Sequence, residues 1–417
     1  MTAAPDPVAD AVAPHGADSR PGPPASPLPD RLPAAITADP ALRRVLAALA
    51  PHRALIVGGA VRNGLIGAPV DDIDIATDAR PDRVVALARA AGLRPVPTGI
   101  DHGTITVVAG GRGFEVTTFR RDVATDGRRA VVAFSDRIED DAARRDFTIN
   151  ALYADAQGRV IDPVGGLDDL AARRLRFVGD ADARITEDYL RILRFFRFHA
   201  WYGQPGAADP SALDACARHA GGLARISRER VTAELCKLLD APDPAPAVAL
   251  MAEAAVLEQV LPGADPARLA ALVAAEPGRL PEPPGGTARG LRWPLRLAAL
   301  GGDASALRLS RTEARVQDEL RFGGPLAEAA YRLGAGRAAQ LALLRAARGE
   351  ALRADWRDRI DHAAGQRLPI TAADLMPALH GPAVGRGLRA AEAAWIDSGF
   401  AMPAPALIDI ALLAADD

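Results

Sequence analysis

Two aspartates one residue apart, Asp72 and Asp74, stand in the stretch VDDIDIAT, downstream of a glycine pair, Gly58-Gly59, that ends the apolar run ALIVGG. In a strand, residues i and i+2 share a face about 6.6 Å apart. The spacing therefore predicts that both carboxylates project together while Ile73 and Ile75 turn to the opposite, buried face. Two like charges so placed repel unless protonated or bridged by a cation. Hard divalent ions such as Mg²⁺ take such oxygens and keep waters and substrate phosphates as further ligands. A pair of such ions can activate an attacking oxygen and stabilise a leaving one. Alone, a D-x-D pattern is more often solvated charge at a strand edge. The glycines change that weighting, because a strand that ends in glycine and enters a helix lets backbone N–H groups approach a phosphate. Arg62 follows in that helix. Together these residues fit a nucleoside triphosphate with its metals.

The elements that must position them read as α/β from about residue 41. ALRRVLAALA and RPDRVVALARAAG have helical periodicity, VRNGLIG reads as a short helix, and ALIVGG, VDDIDIAT, GTITVVAG, FEVTTFR and ADAQGRVIDP read as strands of a small sheet. Beyond about 165 strand signals nearly vanish, and segments such as EDYLRILRFFRFHAWYG and RERVTAELCKLLD are helical. Residues 1–33, rich in Pro, Ala, Asp and Gly, read as a disordered tail. Breaks near 278–290 and 361–369 suggest boundaries between helical subdomains.

Bulk properties exclude several classes. At 417 residues the chain is too long for one compact core. No run of eighteen apolar residues lacks charge, which argues against a membrane span, and the N-terminus lacks the pattern of a secretory signal. Two cysteines, Cys216 and Cys236, are too few for a disulfide framework or a zinc site and predict a reducing cytoplasm. A formal net charge of −3 gives no bulk support for RNA binding, so any polyanion site must be a local patch. Lys237 is the only lysine. The abundance of Ala, Gly and Pro makes base composition a sufficient reason for the arginine preference.

GGAVRNGLIGAPVDDIDIAT resembles the first motif of the class II tRNA nucleotidyltransferase and bacterial poly(A) polymerase family, part of the polymerase-β-like nucleotidyltransferase superfamily. That family usually has aspartate where this chain has Asn63, a change expected to alter local hydrogen bonding rather than metal ligation. HGTITVV and FEVTTFRRD resemble later strands of the family head. Glu115, on the second, could be a further acidic group or a solvent-facing charge, and stays outside the catalytic set. Residues 120–137 correspond to the family's mobile loop or to an ordinary hairpin. RRDFTINALY, from Arg144 to Tyr153, resembles the second motif. There Arg145 could meet phosphate or base oxygens, and Asp146 could accept hydrogen bonds from ribose hydroxyls.

In EDYLRILRFFRF, Asp188 and Arg191 are i,i+3 neighbours, which alone would be a helical ion pair worth a few tenths of a kcal/mol. The resemblance assigns them to the incoming base. An ionised aspartate only accepts hydrogen bonds and arginine only donates them. Cytosine and adenine each show an amino donor beside a ring-nitrogen acceptor, whereas uracil and guanine present the reverse. Arg194 and Arg197 would steady the base or phosphates, and Phe195, Phe196 and Phe198 read as core. ISRERVTAELCKLL resembles the next motif, with a structural role through Arg230 and Glu234. LRLSRTEA at 307–314 and the stretch 370–396 resemble the body and tail of tRNA-end-adding members.

The resemblance implies an α+β fold: an N-terminal nucleotidyltransferase head with a small mixed sheet, then an all-α neck, body and tail. The expected division is a tail at 1–33, head at 34–165, neck at 166–240 with the base-reading helix, body at 241–360 and helical tail at 361–417. It also implies a cytoplasmic enzyme that adds CCA to tRNA from CTP and ATP. Asp72 and Asp74 would be catalytic and would hold Mg²⁺, while Gly58, Gly59 and Arg62 face the triphosphate. No membrane or protein partner is expected. The competing readings are a poly(A) polymerase, a partial enzyme adding only CC or only A, and a catalytically silent RNA-binding protein.

Overall fold

A computed structural model describes residues 28–100, 103–126, 129–276, 292–376 and 378–414. The tail expected over 1–33 lies outside the described residues as far as 27. Residues 28–33 depart from that expectation: Leu32 is buried, and its N–H donates to the Gly158 carbonyl at 2.8 Å. Leu28 also packs against the core, and the Asp30 carbonyl accepts the Val160 N–H at 2.9 Å, so the segment is fastened to the head.

The head is built on a seven-stranded sheet of order β3-β4-β5-β2-β1-β8-β9. Its strands are β1 (Ala54–Val57), β2 (Asp74–Thr77), β3 (Arg94–Gly99), β4 (Thr104–Ala109), β5 (Arg112–Thr118), β8 (Tyr153–Ala154) and β9 (Val160–Ile161). β2 runs parallel to β5 and the other neighbours are antiparallel, so the sheet is mixed as expected. Central β1 and β2 carry Ile56 and Ile75, both fully buried. β3 gave no strand signal because RPVPTG holds two prolines. Each proline lacks a ladder donor and is tolerated only at an edge, where β3 lies. β6 (Arg120–Asp126) and β7 (Arg129–Phe134) pair as a separate two-stranded hairpin. The segment 120–137 is thus a hairpin whose turn, 127–128, lies outside the described residues.

Two helices frame the break that proves important below, α2 (Ala181–Glu187) and α3 (Leu190–Tyr202); α1 (Gly59–Leu65) precedes them and α4 (Arg228–Leu239) follows. One continuous apolar core joins the head to these neck helices. Phe195, Phe196 and Phe198 lie in it as expected, with Phe147 and Phe177 against Phe195 and Phe198 at ring separations of 5.3–6.4 Å. Each such buried aromatic contributes about 1.5–3 kcal/mol relative to exposure. A separate head cluster gathers Leu55, Val57, Phe119 and Tyr153, and two further cores lie within 272–363 and 370–411. Arg296, fully buried, ties the 272–363 region to the neck: it pairs with Glu276 at 2.7 Å and donates to the carbonyls of Leu239, Ala241 and Pro242. The break expected near 278–290 lies outside the described residues.

His199 on α3 stacks on Phe195, and its buried Nδ1 finds no hydrogen-bond partner among the described residues. A Cβ on Gly203 would stand 2.3 Å from that nitrogen. Burial pushes the His199 pKa down to about 4. The unfolded chain therefore takes up a proton near pH 6.5 that the folded chain refuses, and stability falls as pH drops from about 6.5 towards 4. Between pH 7 and pH 5 this amounts to about 2 kcal/mol. Urea unfolding of His199→Gln at the two pH values should show that acid sensitivity reduced by this amount.

Candidate active site

The site begins where β1 ends. Gly58 has φ of 69°, a conformation that favours glycine, and from it the chain turns into α1. Antiparallel register sets Val57 opposite Asp74, so Ile73 would pair with Gly58. Gly58 has already turned away into the helix. β2 therefore starts at Asp74, and Asp72 stands before the strand rather than on its face. Both carboxylates are exposed, Ile73 is half-buried and Ile75 fully buried.

On the other side of β2, parallel pairing places Glu115 level with Asp74. The sequence left Glu115 outside the site because only register across the sheet reveals this juxtaposition. The protein mass around the strand end raises the Asp74 pKa, Glu115 and Asp72 raise it further, and the Arg145 guanidinium opposes them. Asp74 stays open to solvent, so the like charges are the firmer cause.

Arg145 completes this head cluster. Its Nη1 lies 3.3 Å from where a Gly58 Cβ would be, so a side chain at 58 would crowd it. Its Nη2 pairs with buried Asp141 at 3.0 Å, and Nε donates to the Tyr153 hydroxyl at 3.1 Å. Tyr153 in turn donates to Asp141 at 2.8 Å.

Arg62 sits otherwise than expected. It is buried, and its guanidinium donates to Asn150 Oδ1, to the Tyr202 hydroxyl at 2.8 Å and to Asn63 Oδ1, with its charge 4.0 Å from the Tyr202 ring centre. It braces α1 against α3. Asn63 suits this place, because its amide also donates to the Pro69 carbonyl at 2.8 Å. A carboxylate has no donor for that carbonyl.

Asp146 is likewise engaged. Oδ1 accepts from the Phe147 N–H and from Asn150, and Oδ2 accepts from both Nε and Nη2 of Arg194. A carboxylate offers about four lone-pair sites, and four donors meet them in this structure. These charge-assisted bonds hold the Asp146 pKa below its usual value although the side chain is largely shielded from solvent, and they join head to neck. Asn150, buried and unremarked in the sequence, is the hub between Arg62 and Asp146. The only hint was an amide amid the apolar run of RRDFTINALY.

In the neck, Asp188 and Arg191 do not share a helix face. Asp188 sits in the break between α2 and α3 with φ of −154°, while Arg191 lies in the first turn of α3. Their link is the Arg191 N–H donating to the Asp188 carbonyl at 2.9 Å. The Arg191 guanidinium pairs with Glu187, which also holds Arg184 at 2.7 Å. Arg184 reaches the carbonyls of Arg144 and Arg145, so this cluster is fastened to the segment carrying Arg145.

Asp188 Oδ2 accepts from Arg230 at 2.7 Å and Oδ1 from the Leu190 N–H at 3.1 Å, which leaves two lone-pair sites open. Arg197 lies 2.7 Å from Glu234 without the alignment of a hydrogen bond. Arg230 and Glu234 of α4, read from sequence as structural at helical spacing, instead reach across to α3 and its N-terminal break. Gly58, Asp72, Asp74, Glu115 and Arg145 thus form the head face, with Asp188, Arg191, Glu187 and Arg230 on the neck face.

Among the described residues no group of three or more His, Cys, Asp or Glu side chains forms a metal cage. The acidic row still fits a hard cation. Desolvation and the neighbouring Glu115 and Asp72 carboxylates raise the Asp74 pKa, and a hard cation there would take its remaining ligands from phosphate and water. No helix among the described residues is long and apolar enough to cross a membrane.

Residues 54–176 match the family described as Poly A polymerase head domain, and 208–268 match the probable RNA and SrmB- binding site of polymerase A. The human protein named CCA tRNA nucleotidyltransferase 1, mitochondrial, is 47% identical over 190 residues, 45% of this chain and 44% of its own length. The CCA-adding enzyme of Geobacillus thermodenitrificans is 44% identical over 214 residues, 51% of each chain. The chain spans about half the length of the curated relatives it matches. A crystal structure of the Bacillus stearothermophilus CCA-adding enzyme in complex with CTP superposes with a TM-score of 0.67 at 33% identity, covering 86% of this chain and 92% of that one. On that match, which extends beyond the head into the helical regions, the chain belongs to the family of the CCA-adding enzymes and poly(A) polymerases.

Proposed function

We propose that this chain is a CCA-adding tRNA nucleotidyltransferase, which transfers CMP and AMP from CTP and ATP to the 3′ end of tRNA without a template. The observation that carries this reading is the pairing of two faces in one fold. A glycine turn beside Asp72, Asp74 and Glu115 lies in the head, and the neck offers an acceptor-only Asp188 with Arg191 in the first turn of α3. The 33% identical CTP complex supports it.

The 3′-hydroxyl oxygen attacks the α-phosphorus as its proton passes to solvent, and the bond from that phosphorus to the bridging β-phosphate oxygen breaks to release pyrophosphate. Asp72 and Asp74 would hold Mg²⁺, which when bound supplies charge neutralisation for the triphosphate and lowers the pKa of the attacking hydroxyl. Gly58 and Gly59 let the triphosphate approach the backbone, and Arg145, fixed by Asp141 and Tyr153, offers a positive charge beside them. Asp188 accepts from the amino group of cytosine or adenine, and arginine donates to the ring nitrogen. Arg62 and Asp146 act indirectly, as the brace that holds the two faces in register. Arginines of the body and tail would contact the tRNA acceptor arm. Two free thiols, Cys216 and Cys236, fit a reducing compartment, and we assign the cytoplasm.

The experiment is product length on tRNA trimmed of its CCA. CTP alone should extend it by CC, and CTP with ATP by CCA. Long ladders from ATP alone would identify a poly(A) polymerase, and no extension under any condition would leave an RNA-binding scaffold.

A further inference from the structure

Asp188 owes its position to a break between two helices, and the residue that follows it holds that break in place. Tyr189 precedes the first residue of α3, and its carbonyl accepts the Ile192 N–H at 3.1 Å. Its ring lies directly on Gly222. A Cβ built on Gly222 would fall 2.0 Å from Cδ1, 2.1 Å from Cε1 and 2.6 Å from Cγ of Tyr189, so the ring fills the volume a side chain would need. Gly222 is not among the glycines with positive φ. Space, not backbone conformation, is therefore what demands glycine there.

The notch has walls on two further sides. The His219 ring centre is 6.3 Å from that of Tyr189, and the Arg225 guanidinium lies 5.5 Å from it. Gly222 is tied to the same wall, its N–H donating to the His219 carbonyl at 2.9 Å. The short helical segment Ala220–Arg225 thus forms a socket for one ring.

We propose that Tyr189, seated in the Gly222 notch, is a specificity-determining positioning residue: it fixes the backbone turn from which Asp188 meets the base. The inference rests on the base-reading role given to Asp188 above and deepens it. Asp188, Tyr189 and Leu190 are consecutive, Asp188 Oδ1 accepts the Leu190 N–H, and the Asp188 carbonyl accepts the Arg191 N–H. A ring displaced from the notch drags this peptide segment with it and turns the Asp188 carboxylate away from Arg230. Selection by hydrogen bonds depends on placement, and a shift of about 1 Å in a reacting or reading group costs about 10²-fold.

The test compares kcat/KM for CTP and UTP on trimmed tRNA in Gly222→Ala, Tyr189→Leu and the double variant, with melting temperature recorded for each. A merely structural role would lower the melting temperature and leave the CTP to UTP ratio intact. Gly222→Ala should lower that ratio by about 10- to 100-fold. The double variant should be no worse than Tyr189→Leu alone, because the clash is gone. A folded Gly222→Ala protein with the wild-type ratio overturns the inference. If Gly222→Ala does not fold, an unchanged ratio in Tyr189→Leu overturns it equally. Asp188→Asn run in parallel separates the two claims: if it too leaves the ratio unchanged, the base-reading role has failed, not the notch.

Discussion

Asp74→Ala should lower CMP transfer to trimmed tRNA by roughly 10²–10³-fold, since single groups that stabilise developing charge in a transition state each carry about that much. Asp74 is the better probe of the acidic pair because the strand fixes it, level with Glu115 and one residue from the turn at Gly58. Removing its carboxylate also relieves repulsion in the row, so folding should hold or improve. Loss of rate with unchanged or raised melting temperature, measured on one preparation, distinguishes a catalytic role from a structural one. Glu115→Gln should give a smaller loss, because its carboxylate acts first on its neighbour's charge.

Asp188→Asn should change what is added rather than whether addition occurs. The carboxylate only accepts, so the amino group of cytosine or adenine satisfies it and the carbonyl of uracil does not. An amide can turn its NH₂ towards that carbonyl. Hydrogen-bonded sites reject mismatches by about 10⁴–10⁵, and losing one of the reading groups should erase at least about 10² of this. The readout is the ratio of kcat/KM for CTP to that for UTP. A variant that lost activity equally with both nucleotides, at an unchanged ratio, would place Asp188 outside base reading.

Much of this was legible in the chain. Gly58-Gly59 and the D-x-D pair are local patterns, and the phenylalanines of α3 follow helical periodicity into the core. What escaped was set by distant partners. Asp72 falls outside β2 because its neighbour Ile73 would need Gly58 as a partner, and Gly58 has turned into α1. Glu115 joins the acidic row only through the register of β5. Arg62 and Asp146 carry residue types that suit a ligand, yet Tyr202, Asn150 and Arg194 claim their hydrogen-bonding capacity from elements far along the sequence. The helix expected to run through Asp188 and Arg191 breaks at Asp188, where Arg230 from α4 claims the carboxylate. Periodicity reports which face a residue lies on, but not which partner reaches it first.

The central claim is that the carboxylates at 72 and 74 receive a divalent cation together with a nucleotide. Crystals soaked with Mn²⁺ and a non-hydrolysable CTP analogue test it directly through anomalous scattering. The account predicts a peak bridging Asp72, Asp74 and the triphosphate oxygens. A well-ordered nucleotide with no peak there, or with both carboxylates turned from the metal, would contradict it.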